Sequence, residues 1–273
     1  MDNATRVSRL PFYKAAALTV YGSVKAIAGT SLGIMTPERG QALLDSWARG
    51  VLASGHATLH VEGREHTDPT QACVLMSNHS SLLDIPALFA ASPYRLRMVA
   101  KTELRKVPIF GTALERMEFI FVDRSHSQRA IEQLKVAKEL IAEGVSVWIA
   151  PEGTRSRTGK LGPFKKGGFH LAVELGAPIV PAWIEGTRDI VAPGTFDVRP
   201  GGQVTVRFGA PIPTAGKTKD DLPSLLEEVR EAILSLSGKP RAEVDGGDAV
   251  QGSDPRAQEA SRAGGRPSTT AAA

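Results

Sequence analysis

Seven short runs of strand-forming residues recur along the chain, separated by helical or turn-like segments: Ala57–Glu62, Ala72–Ser77, Leu96–Ala100, Glu118–Val122, Val145–Ala150, Pro178–Ile184 and Gln203–Phe208. Between the fourth and fifth, residues 127–143 carry Ile131, Leu134, Ala137, Leu140 and Ile141 at helical spacing, with Ser127 placed to cap and Gly144 placed to stop. A second helix is predicted around Gly168–Leu175. A third is predicted from about Asp220 to Leu236, with Leu222, Leu225, Leu226, Val229 and Ile233 on one face. Strands alternating with helices predict an α/β sandwich: a mostly parallel central sheet of about seven strands flanked by helices.

The ends differ from this middle. Residues 1–50 read as a helical element with two mildly apolar stretches split by Lys25. Neither stretch approaches the roughly twenty apolar residues that a spanning helix needs. Arg6, Arg9, Lys14 and Lys25 flank them with no acidic side chain between residues 3 and 37, which suits helices lying in a membrane interface. The α/β domain is expected in 51–237. Residues 238–273 are rich in Gly, Ala, Ser, Asp and Arg and read as a disordered tail. A net charge of +4 suits anionic lipid, a phosphate-bearing substrate or nucleic acid alike. The single cysteine, Cys73, lies in an apolar run and reads as a small core residue, so no internal disulfide is available.

Two clusters carry chemistry. Ser77-Asn78-His79-Ser80-Ser81-Leu82-Leu83-Asp84 follows an apolar strand, where ligands gather in open α/β sheets. Five residues along a helix turn through about 500°, so His79 and Asp84 cannot meet on one helix face. With His79 in the loop and Asp84 in the first helical turn they can, and Pro86 is tolerated in such a turn. A carboxylate on one ring nitrogen makes the other a base for a hydroxyl proton. The second cluster, Ala150-Pro151-Glu152-Gly153-Thr154-Arg155-Ser156, also follows a strand. Arg155 offers a fork for phosphate or carboxylate, and Gly153 allows close backbone approach. Lys165 and Lys166 then lead into a helix amino end, which favours anions.

Other signals fail. Gly216-Lys217-Thr218 mimics the end of a phosphate-binding loop, but Pro211 stands where its first glycine belongs. The histidines at 56, 60, 66, 126 and 170 form no metal-ligand spacing, so no metal is expected.

In order, Asn78-His79-x4-Asp84, Phe119-Ile120-Phe121-Val122-Asp123-Arg124, Pro151-Glu152-Gly153-Thr154-Arg155-Ser156 and Ile179-Val180-Pro181 resemble the four motifs of the glycerolipid acyltransferases, above all the 1-acyl-glycerol-3-phosphate acyltransferases. The third motif often begins with Phe, and this chain has Ala150. The resemblance implies His79 as base, Asp84 as its partner, and Arg124, Glu152, Gly153, Thr154 and Arg155 around the acceptor's phosphate and glycerol. It implies an acyl-CoA or acyl-carrier-protein donor, a lysophospholipid acceptor and a peripheral or monotopic place on the cytoplasmic face of a membrane, with neither cofactor nor nucleic acid. Another acceptor, such as glycerol-3-phosphate or a different lysolipid, would fit the same motifs. A lipid-binding protein without turnover would not need the His79–Asp84 pair.

Overall fold

A computed structural model of the protein describes residues 7–122 and 129–247, with side chains omitted for 129–134. All seven expected strands form: β1 (Thr58–Glu62), β2 (Val74–Ser77), β3 (Leu96–Lys101), β4 (Ile120–Val122), β5 (Ser146–Ile149), β6 (Ile179–Glu185) and β7 (Gln203–Phe208). They build one sheet in the order β1-β7-β6-β2-β5-β3-β4. Its ladders are parallel except β6–β7, so β1 and β7 run against the other five.

The helices are α1 (Leu10–Ser31), α2 (Pro37–Ser54), α3 (Asp84–Ala91), α4 (Phe110–Arg116), α5 (Arg129–Ala142), α6 (Gly167–Leu175), α7 (Thr187–Ile190), α8 (Leu222–Ser235) and α9 (Arg241–Val244). Strand β2 is buried on both faces, and its side chains alternate between two cores. Leu75 packs with Phe89, Trp148 and Val180 on the side of α1 to α4. Val74 and Met76 pack with Phe169, Leu225, Val229 and Ile233 on the side of α6 and α8. The expected apolar face of α8 is the buried one, and Thr218 with Asp221 forms a capping box one turn before it.

At the amino end α1 runs through Lys25 as a single helix and pairs with α2, whose start Thr36 caps by accepting from the Arg39 N–H at 3.3 Å. Trp47 on α2 donates to Thr19 on α1 at 3.0 Å. Among the described residues, no helix is long and apolar enough to cross a membrane.

Residues 238–247 do not form the disordered tail expected from Gly238. Residues 238–247 are described, and they include α9 and the buried Val244. Val244 adds to the α8-side core, and Asp245 pairs in a bridge with Leu161. Composition hid this because one aliphatic residue and a few backbone bonds suffice to dock so short a segment. The rest of that expected tail, 248–273, lies outside the described residues.

Candidate active site

Strands β2, β5 and β6 are neighbours and parallel, so the loops after their carboxyl ends meet at one edge of the sheet. Asn78 leaves β2 and extends the pairing to β6 with its side chain. Its Nδ2 donates to the Ile184 carbonyl at 2.8 Å, and its Oδ1 accepts from the Ile184 N–H at 2.7 Å. This buried amide fixes where the next residue, His79, emerges.

Helix α3 begins at Asp84, so loop and first turn fold back on each other. His79 Nδ1 lies 2.8 Å from Asp84 Oδ2. The same oxygen accepts the Ser80 and Ser81 N–H groups at 2.6 and 2.8 Å, while Oδ1 accepts from the Thr187 hydroxyl. A carboxylate so placed holds the proton on Nδ1 and leaves Nε2 with a free lone pair. Trp148 stands edge-on to the imidazole at 5.6 Å between centroids and donates to Ser77 Oγ at 3.0 Å.

The loop after β5 closes on this pair. Ser156 N–H donates to the His79 carbonyl at 2.7 Å. Glu152 is buried, with Oε1 accepting the His79 N–H at 3.2 Å and Oε2 accepting the Gly162 N–H at 2.9 Å. Burial pushes its carboxyl up to about 7, against the downward pull of those two N–H groups, of His79 and of Arg230. Gly153 has φ +72°, and a Cβ there would stand 2.9 Å from Lys165 Cδ. The Lys165 N–H donates to the Pro151 carbonyl at 2.8 Å, which brings the two basic loops together.

Beside the pair is a cavity of about 340 Å³ with an almost wholly apolar wall. Leu82, Leu83, Ile85 and Pro86, which bracket Asp84, form one side, and residues of α1, α2 and α4 form the other. It has the size and character of a lipid-chain site, and its few polar lining residues, Thr19, Ser23 and Ser54, lie on α1 and α2.

The acyltransferase family model matches residues 58–185. The chain is 35% identical to the 1-acyl-sn-glycerol-3-phosphate acyltransferase alpha of Mus musculus over 195 residues, 71% of this chain and 68% of that protein. It belongs to the 1-acyl-sn-glycerol-3-phosphate acyltransferase family. The protein of the same name from Homo sapiens is 38% identical over 65% of this chain and 63% of its own length. The crystal structure of the 1-acyl-sn-glycerophosphate (LPA) acyltransferase PlsC from Thermotoga maritima superposes with a TM-score of 0.64 at 25% identity, covering 84% of this chain and 99% of that one.

Of the residues expected in the family's site, His79, Asp84 and Glu152 are joined by hydrogen bonds, Asn78 ties their loop to β6, and Gly153 follows Glu152 in the loop after β5. Thr154 is exposed, Arg155 half-buried, and Lys165 and Lys166 exposed at the start of α6. Pro181 lies in β6 opposite Met76, where its carbonyl accepts the Gly209 N–H at 2.9 Å. Arg124 lies outside the described residues. Sequence reasoning missed Thr187, which sits 103 positions from Asp84. The one available signal was its place just past the carboxyl end of a strand adjacent to β2.

Proposed function

We propose that this chain transfers a fatty acyl group from an acyl thioester, acyl-CoA or acyl-carrier protein, to the free sn-2 hydroxyl of 1-acyl-glycerol-3-phosphate, giving phosphatidate for phospholipid synthesis. The observation that carries the reading is the His79–Asp84 pair, 2.8 Å apart, beside the apolar cavity.

In this mechanism His79 Nε2 takes the proton of the acceptor hydroxyl as that oxygen attacks the thioester carbonyl. Asp84 steadies the imidazolium that results. The tetrahedral intermediate collapses, the carbon–sulfur bond breaks, and the imidazolium returns its proton to the departing thiolate. An acyl chain lies in the cavity. Arg155, Lys165 and Lys166 face the acceptor phosphate, with Arg124 joining them as the family resemblance implies. Helices α1 and α2 lie against the lipid surface of the cytoplasmic face, so that the acceptor enters without leaving the bilayer.

Thiol release from acyl-CoA in the presence of lysophosphatidate tests this, with glycerol-3-phosphate and other lysolipids as competing acceptors. His79→Ala should lower turnover by about 10²–10⁴ while the fold survives, because Asp84 keeps Ser80, Ser81 and Thr187 as partners. Full turnover in a folded His79→Ala protein would remove His79 from the chemistry.

A further inference from the structure

Arg230, on α8, is almost wholly buried at 1% exposure, and the family match ends well before it. Its guanidinium donates to the Gly162 carbonyl at 2.7 Å and the Leu161 carbonyl at 3.3 Å, pairs with Asp245, and lies over the Phe164 ring at 5.3 Å. The segment holding Asp245 grips the same loop through its backbone. Leu161 N–H donates to the Val244 carbonyl at 2.7 Å, Gly246 N–H donates to the Leu161 carbonyl at 2.9 Å, and Lys160 Nζ donates to the Ala242 carbonyl at 2.7 Å. Arg241 closes the segment on α8 by bonding Glu231 at 2.5 Å and Asp245 at 2.8 Å.

The gripped loop is the one whose Gly162 N–H holds Glu152, and Glu152 holds the His79 N–H. A continuous series of short bonds therefore joins residues 241–247 to the base: Asp245 to Arg230, Arg230 to the 161–162 backbone, Gly162 to Glu152, Glu152 to His79. Both carboxylate oxygens of Glu152 accept backbone N–H groups, which is the work of a bracket between two loops.

We propose that residues 241–247 form a strap that, through Arg230 and Glu152, positions His79 for acyl transfer. Arg230, Asp245 and Glu152 are positioning residues. This rests on acyl transfer being the chain's chemistry, and it adds to that reading a part of the molecule that no family motif reaches.

The charges facing Glu152 give the strap a signature. They are His79 from the loop after β2 and Arg230 from α8, itself paired with Asp245. A protonated Glu152 has one oxygen committed as a hydroxyl and can hold only one of the two N–H groups well. Removing the positive charge of Arg230 makes that protonation easier, so the acid limb of turnover moves to higher pH.

The experiment compares Arg230→Gln and Arg230→Lys with the wild-type chain, reading acyl-CoA and lysophosphatidate kinetics against pH and hydrogen exchange in peptides covering His79 and Gly162. In Arg230→Gln we expect kcat to fall about 10- to 100-fold, the scale of a slightly misplaced catalytic group, with KM little changed. Both amides exchange faster, and the acid limb moves up. In Arg230→Lys the limb returns toward its wild-type place even though the fork is lost, which a purely structural role would not produce. If Arg230→Gln does not fold, Gly246→Val replaces it for the exchange and kcat readings: a Cβ at 246 would stand 2.9 Å from the Leu161 carbonyl oxygen and would prise the strap away without burying a charge. Unchanged exchange at both amides overturns the inference. So does faster exchange with wild-type kcat, or, where Arg230→Gln folds, with a wild-type acid limb. If the wild-type chain releases no thiol, the acyl-transfer reading fails by itself, and the exchange comparison still decides whether the strap holds the His79 loop.

Discussion

Four donors converge on the Asp84 carboxylate, and only Thr187 comes from outside the loop and turn that present His79. Thr187→Val keeps the shape and removes one donor, so Oδ1 is left buried without that partner. The expected cost is about 1.5–3 kcal/mol of stability, as for a hydrogen bond to a charged group. Turnover should fall less than in His79→Ala. Thermal melts and thiol release check both, and a melt equal to wild type would show the bond to be dispensable. Glu152 gives a pH dependence. Its carboxyl is raised from 4.5 to about 7, so its contribution to stability is full below 4.5 and is lost as the pH rises through about 7. Glu152→Gln should remove that loss, so the stability difference between wild type and variant should vary across this window and flatten above it. Denaturant midpoints measured along the pH range read it directly, and parallel curves would refute the assignment.

Among the elements, α1 leaves Leu10, Tyr13, Val20, Tyr21 and Val24 exposed while Pro11, Ser23, Ala26 and Gly29 are buried. Near an anionic bilayer each of its cations contributes up to about 1 kcal/mol, and apolar insertion adds to that hold. Tyr13→Asp combined with Val20→Asp and Val24→Asp should leave the core intact yet lower flotation with anionic vesicles. Unaltered flotation would place the lipid contact elsewhere. The strands and the helices α5, α6 and α8 were legible where they bury a continuous or periodic set of side chains: β2 is buried throughout, and the face of α8 follows a 3.6-residue rhythm. The His79–Asp84 contact was legible too, since a loop followed by a first helical turn leaves little choice. Thr187 and Arg230 were not, because what defines them is a partner far along the chain. Neither was α9, whose single buried aliphatic, Val244, sets no pattern.

At the scale of the whole molecule, the docked segment makes the boundary of the folded unit testable. A chain ending at Gly247 keeps every contact named above, whereas one ending at Ser237 leaves Arg230 buried without Asp245. Stranding a buried charge typically costs about 3–5 kcal/mol, and a urea midpoint should separate the two proteins clearly. Equal midpoints would mean that water reaches Arg230. The pairing of β1 with β7 has a consequence of another kind. Glu62 and Arg207 face each other across that ladder from positions 145 apart, and among the described residues β7 is the sole partner of β1 in the sheet. At roughly 5–20 residues per second, a ribosome needs on the order of ten seconds to deliver the second strand after the first. For that time β1 waits with an open backbone edge, the kind of surface on which nascent chains join one another. The yield of folded protein therefore depends on how quickly the stretch between β1 and β7 is translated, and slow codons there lengthen the wait.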